Sequence, residues 1–395
     1  MKKIIALLLV VVMVFGLVAC GADTPPASGN PGTPSSDVPG ANQPTEPAGP
    51  TVYSTYPEKT IKIGVEIYDP TDGETLEMQA YFQRLVDQGL NVEFIYSEAL
   101  ASAEAEMAFI DRCYNAGCKA IMGFYNISGG EVIQKCIDYG MYYWGYIDEA
   151  THEKYQDNPY MVDAITYGDS DYNGGYAIGE YFGKLGAKKV VYASGGAAFG
   201  VKMFVDRRNG FIDAAEKYGL EYIEVTGFPG EAFFADQAAA LSEDIDGVAA
   251  SFNGLDFWAQ PIAAAGKTET APLATLGSVS QAYADAFQSG SVAYVTASNV
   301  SRFAIAAMLL VNAVDGNADS LQENGRAGVY VTGRWDLVDY ESAQMAADVA
   351  GDVYTFEELQ ALIVNINPDA SAATIQEIIE AGADIEAIAA RRAGN

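Results

Sequence analysis

IKIGVEIYDPTDGETLEMQAYFQRLVDQGLNVEFIY, residues 61–96, sets the pattern of the chain. Ile61–Tyr68 is a β-branched and aromatic run, expected as a strand. Thr75–Gln88 reads as a helix, and Asn91–Tyr96 returns to a strand. The alternation continues outward: helix Ser102–Asn115, strand Ala120–Tyr125, helix Gly130–Tyr139, and strands Tyr142–Ile147 and Met161–Tyr167. It then restarts with helix Asn173–Leu185, strand Lys189–Ala193, helix Met203–Tyr218 and strand Glu221–Thr226. Helix Ala235–Leu241, strand Gly247–Phe252, helix Trp258–Ala265 and strand Leu273–Leu276 complete the second set. Strand–helix–strand units with short loops imply parallel sheets covered by helices, so the fold class is α/β with two Rossmann-like lobes. Ligands of such sheets sit beyond the carboxyl ends of the strands, and between two lobes that place is a cleft.

Composition narrows the function. The chain has 395 residues, 50% hydrophobic and 19% charged, with acids outnumbering bases 53 to 22 for a net charge of −31. A length of this order calls for at least two lobes. So anionic a surface repels phosphate backbones and anionic lipid, which argues against nucleic-acid or peripheral membrane binding. The single histidine, His152, would have to serve any Ser-His-Asp triad and excludes a multi-histidine zinc site. No G-x-S-x-G element or P-loop is present, and Gly195–Gly200 follows a strand without G-x-G-x-x-G spacing, as a cleft loop would. No cofactor, metal or catalytic residue is expected. A hydrolase using paired carboxylates is a weak alternative, because pairs among this many acids arise by chance.

The N-terminus reads as a lipoprotein leader. Lys2 and Lys3 precede an almost unbroken apolar run from Ile4 to Val18. Leu17-Val18-Ala19-Cys20-Gly21 resembles the bacterial lipobox, with Cys20 as the lipidated residue; an uncleaved membrane anchor is the alternative. Residues 21–57 hold nine prolines and only Asp23, Asp37 and Glu46 as charges, so they form a linker, with a coil reach of ~30–40 Å. Membrane contact is expected only through the lipid.

KAIMGFYNISGGEVIQKC (119–136), YGDSDYNGGYAIGEYF (167–182), DRRNGF (206–211), GVAASFNGLDFWAQPIAAAG (247–266) and SGSVAYVTASNVSRFAIAAMLL (289–310) carry a resemblance along residues 58–345. In order and spacing they resemble the type 1 periplasmic binding proteins, the ribose- and galactose-binding-like solute receptors of ABC importers. The resemblance implies three crossings between lobes, with lobe one at 58–168 and 299–327 and lobe two at 169–298 and 328–350. It implies a monomer that closes on a small polar ligand by bending at the crossings and hands it to an ABC permease. Expected ligand contacts follow strands: Tyr68, Asp69, Tyr125, Asn126, Asp148, Glu149, Arg207, Phe233 or Phe234, Asn253, Ser278 and Ser298. Aromatic rings suit the C–H faces of a sugar and Asp, Asn or Arg its hydroxyl edges. Asp69 could instead cap a helix, and Arg207 could pair with a nearby acid; Asp148 follows an apolar strand with no obvious helix to cap. Trp144 reads as core, while Trp258 and Trp335 stay open. Glu149 stands where ribose-type receptors carry arginine and Ser278 where they carry aspartate, so ribose itself is not expected. A different sugar, a polyol or a nucleoside fits better than a strongly anionic ligand. A sensing lipoprotein or an autoinducer-type receptor on the same fold is the alternative.

Cys113 and Cys136 fall on helices expected on the same sheet face, so a disulfide is permitted outside the membrane; Cys118 makes the count odd, and buried free thiols are commoner. After residue 350, TFEELQALIVNI, TIQEIIEAG and DIEAIAARR read as short amphipathic helices, a C-terminal extension at 351–395 that would cap lobe two.

Overall fold

The computed structural model describes residues 55–393 except 68, 72, 101, 167, 200, 229, 323, 324, 326, 330–333 and 352. The leader with Cys20, the linker up to residue 54, and Tyr68 lie outside the described residues.

β1 (Tyr56–Glu66) and β2 (Leu90–Tyr96) run parallel, Ile61–Val65 in register with Val92–Tyr96, and α1 (Gly73–Gln88) makes the crossover. α2 (Ala103–Ala116), β3 (Ala120–Gly123), α3 (Gly130–Asp138), β4 (Tyr142–Ile147), α4 (Glu149–Tyr155) and β5 (Met161–Thr166) extend the same sheet. Inner strands covered on both faces need apolar side chains on both, which is why Ile63, Val65, Ile121 and Met122 are all fully buried.

The second sheet follows with α5 (Gly168–Leu185), β6 (Lys189–Gly195), α6 (Lys202–Tyr218), β7 (Glu221–Thr226), α7 (Glu231–Ser242), β8 (Gly247–Ala250), α8 (Gln260–Ala264), β9 (Leu273–Ser278), α9 (Gln281–Gln288) and β10 (Tyr294–Ser298). The chain then returns through α10 (Arg302–Val314) to β11 (Gly328–Val329), and crosses again to β12 (Trp335–Leu337). Among the described residues the strand orders are β2-β1-β3-β4-β5-β11 and β7-β6-β8-β9-β10-β12, with β12 antiparallel to β10. Every residue of α10 from Phe303 to Ala313 is buried, as expected of a helix covered on all sides.

Three local expectations are corrected. Gly328–Val329 pairs with Asp163 and Ala164 of β5, so the last crossing follows residue 329 and not 327. His152 anchors that return: its Nε2 lies 3.1 Å from the carbonyl oxygens of both Ala327 and Gly328 and donates to them. α5 begins at Gly168 and not at Asn173, so the stretch ahead of Asn173 is its first turn. Asp148 does have a helix to cap: its carboxylate accepts from the Thr151 amide at 2.9 Å and the Thr151 hydroxyl at 2.7 Å, starting α4.

The C-terminal extension consists of α11 (Tyr340–Val349), α12 (Phe356–Gln360), α13 (Ala372–Ala381) and α14 (Ile385–Ala393). It does not rest on lobe two alone. Buried Asn312 of α10 donates to Leu362 O at 2.8 Å and accepts from Val364 N at 2.8 Å, tying the extension to lobe one. On the other side Trp335 of β12 donates to Gly382 O at 3.1 Å, and α14 packs on α11. A concavity lined by Tyr81, Arg84, Gln88, Gly351, Tyr354 and Phe356 lies where α1 meets the extension, at the helix end remote from the strand tips. Trp144 is core, as expected, and Trp258 and Trp335 are buried as well. Cys113, Cys118 and Cys136 are free and buried, so no disulfide joins Cys113 to Cys136.

Candidate ligand-binding site

The site begins with two helices that approach unusually closely. A Cβ on Gly175 of α5 would lie 1.8 Å from Arg207 O, and one on Gly210 of α6 would lie 2.0 Å from Tyr172 O. Only glycines allow that crossing. It places the Arg207 guanidinium against Asp171, Nε to Oδ1 at 2.8 Å, while Nη1 donates to Ser251 O at 2.9 Å. Asp171 is fully buried. Burial alone would lower the Arg207 pKa, but the Asp171 carboxylate beside it outweighs burial and raises it.

Asp171 also receives a hydrogen bond from lobe one. Tyr146, on β4, donates to Asp171 Oδ2 at 3.2 Å. The Arg302 guanidinium lies 6.0 Å from the Tyr146 ring and 4.7 Å from the Phe303 ring, and pairs with Glu74 at 3.0 Å. Arg334, just ahead of β12, donates to Thr296 Oγ1 at 3.3 Å and Thr296 O at 3.1 Å. Its Nε stands 3.3 Å from where a Gly174 Cβ would be, one turn of α5 beyond Asp171. A second link between lobes lies in the same junction: Lys202 Nζ is 3.9 Å from Glu149 Oε2 and also pairs with Asp206. Burial, the largest influence on Asp206, raises its carboxyl above the ordinary value even with Lys202 beside it.

An aromatic wall adjoins these charges. Phe204, Phe228 and Phe252 meet edge to face at 5.5, 5.6 and 6.0 Å between ring centres, and the Arg207 guanidinium lies 5.3 Å from the Phe204 ring. Phe228 and Phe252 stand two residues beyond the carboxyl ends of β7 and β8. A Cβ on Gly196 would meet Phe228 at 2.9 Å and Phe204 at 3.0 Å, so the glycine pair Gly195-Gly196 at the end of β6 makes room for the rings. Apolar ring faces beside paired carboxylates and guanidiniums can take a molecule that is apolar on its faces and hydroxylated on its edges.

The residues expected from sequence are placed as follows. Arg207, Asp148 and Glu149 stand at the junction. Burial raises the Asp148 carboxyl, but the Thr151 hydrogen bonds prevail and hold it below its usual value. Asp69 closes its own turn, accepting from Thr71 N at 2.8 Å and Thr71 Oγ1 at 2.6 Å. Asn126 staples its loop, donating to Tyr143 Oη at 2.9 Å and accepting from Gly129 N at 2.6 Å, while Tyr125 packs against the lobe-one core. Asn253, at φ 24°, donates to Asp256 at 2.6 Å. Ser278 and Ser298 are register partners at the ends of β9 and β10. Phe233 is buried against Trp258 with ring centres 6.0 Å apart, and Phe234 is half exposed on α7. Sequence reasoning did not single out Asp171, Glu74, Tyr146, Lys202, Phe204, Phe228, Phe252, Arg302 or Arg334. Asp171 and Arg302 lay inside the quoted stretches, and the paired glycines at 174–175 were the available signal for a close helix crossing.

No protein-family model and no curated protein matches the sequence. Solved structures do. An ABC transporter periplasmic solute-binding protein from Actinobacillus succinogenes with bound D-allose is 14% identical, with TM-score 0.59 over 72% of this chain and 99% of that one. An ABC transporter solute-binding protein from Bacillus halodurans with bound myo-inositol is 16% identical, with TM-score 0.58 over 74% and 99%. A carbohydrate transporter solute-binding protein from Agrobacterium radiobacter in complex with D-arabinose is 16% identical, with TM-score 0.59 over 75% and 100%. With two parallel-sheet lobes, their strand orders and a helical C-terminal addition, this chain has the fold of the type 1 periplasmic binding proteins.

Proposed function

We propose that the chain is the solute-binding component of an ABC importer, holding a small sugar between its lobes and releasing it unaltered to a membrane permease. The observation that carries this reading is the Tyr146–Asp171–Arg207 chain of hydrogen bonds, which draws on both lobes beside the Phe204–Phe228–Phe252 wall. A ligand that contacts both lobes favours the closed arrangement by its differential affinity, which is how binding becomes a signal to a permease. The sugars and the cyclitol held by the similar solved structures support a ligand of that class. The leader and the linker complete the reading: Cys20 is lipidated, and the monomeric body works at the outer face of the cell membrane on a tether.

A thermal-shift screen of the chain against hexoses, pentoses, cyclitols, nucleosides and amino acids tests the ligand class, since selective binding raises the melting temperature. A shift confined to sugars and cyclitols is expected; a shift with amino acids alone contradicts the reading. Fractionation of cells expressing Cys20→Ser tests the tether, with release from the membrane fraction expected.

A further inference from the structure

We propose that the ligand held between the lobes carries one carboxylate, so that the chain selects an acidic sugar over its neutral counterpart. This inference rests on the sugar-binding reading and adds a charge to it.

Three guanidiniums arrive from three elements: Arg207 from α6, Arg302 from the start of α10, and Arg334 from the last crossing. Asp171 answers Arg207 at 2.8 Å and Glu74 answers Arg302 at 3.0 Å. Arg334 bonds only to Thr296, and no carboxylate among the described residues lies within ion-pair distance of it. The Arg207 and Arg302 side chains are only 13% and 11% exposed, so solvent does little to disperse the charge. Arg302 Nε is buried with no hydrogen-bond partner among the described residues, leaving a donor for an incoming acceptor. The Arg334 pKa is pushed down to about 10, first by burial and next by Arg207, with Arg302 acting in the same direction. Of these three cations only two are matched by a carboxylate, so the charge of Arg334 is uncompensated on this side of the junction, inside a chain whose net charge is −31.

The other part of the junction has the opposite sign. Glu149 and Asp206 gather round Lys202, with Asp148 close enough to raise its pKa further. A sugar acid suits that polarity: its hydroxyls donate toward Asp148 and Glu149, and its carboxylate accepts from the guanidiniums. Glu149, whose place in the sequence argued against a strongly anionic ligand, faces Lys202. The compensating cations come from Arg302 and Arg334, distant in sequence from that position.

The test is calorimetric titration of the full chain in detergent with D-galactose, D-galacturonate, D-glucose, D-glucuronate and D-glucose 6-phosphate. The uronate of the recognised pair should bind at least tenfold more tightly than its neutral hexose. Arg334→Gln should bring that ratio toward one, whereas Arg334→Lys, which keeps the charge, should preserve most of it. Neutral hexoses binding as tightly as their acids would overturn the proposal and leave the sugar-binding reading intact. Preference for the phosphate over both acids would overturn the count of a single charge. If no sugar of either kind binds, the sugar-binding reading falls and this inference falls with it.

Discussion

Replacing Gly175 by alanine should damage stability and binding together, because one glycine sets both the α5–α6 crossing and the Arg207–Asp171 pair. The added Cβ would sit 1.8 Å from Arg207 O, so α6 must retreat by about 1.5 Å to reach an ordinary contact. Overpacking of this kind costs ~1–3 kcal/mol. Stretching the 2.8 Å bond between Arg207 and buried Asp171 forfeits a further ~1–3 kcal/mol, typical of a charged hydrogen bond. Alanine's advantage over glycine in a helix returns only ~0.5–1 kcal/mol. The net expectation is a loss of roughly 1–5 kcal/mol, read as a lower urea midpoint at unchanged slope. Gly73→Ala is the control, since no atom lies within 4 Å of its Cβ and its effect should be neutral to slightly stabilising. A Gly175→Ala chain that unfolds at the wild-type urea concentration and binds the same sugar equally well would refute the reasoning.

Glu66 is fully buried with neither oxygen hydrogen-bonded among the described residues, and burial first, then Glu106, raises its pKa well above the ordinary carboxyl value. It therefore stays protonated in the folded chain where the unfolded chain ionises, so its contribution is present below ~4.3 and is lost as pH rises toward the folded value. Glu66→Gln should flatten the fall of melting temperature between pH 5 and 8; an unchanged slope would contradict this. Asn312→Ala strands Leu362 O and Val364 N and should cost about 2–3 kcal/mol in urea unfolding, with faster proteolysis within the extension. Lys202→Ala should lower stability in urea unfolding by about 1–3 kcal/mol, because it leaves the buried Asp206 carboxylate without its cation, whereas the contact with exposed Glu149 contributes little. Cys113, Cys118 and Cys136 should react with a thiol reagent only after unfolding, since all three are buried.

The alternation of strands and helices was legible because the inner parallel strands are buried on both faces and read as unbroken apolar runs. α4 was missed because it is seven residues long and buries only His152 and Tyr155, too few positions to reveal a period. The site was legible only in part. Arg207 sits inside a recognisable stretch, but its partner Asp171 is 36 residues away, Tyr146 and Asp171 are 25 apart, and Arg334 and Thr296 are 38 apart. Tyr146 and Asp171 meet only once the chain has crossed between lobes, the other two pairs need the packing of lobe two, and no local pattern encodes either. Phe233 and Phe234 come after β7, as Phe228 does, yet α7 turns Phe233 into the core against Trp258.

The position of a bound sugar measures the account most directly. A crystal structure of the chain with the sugar giving the largest thermal shift should place the ring against the Phe204–Phe252 wall, its hydroxyls in contact with Arg207 or Asp171 from one lobe and with Asp148 or Glu149 from the other. A sugar seated on one lobe alone, or in the concavity beneath the C-terminal extension, would contradict it.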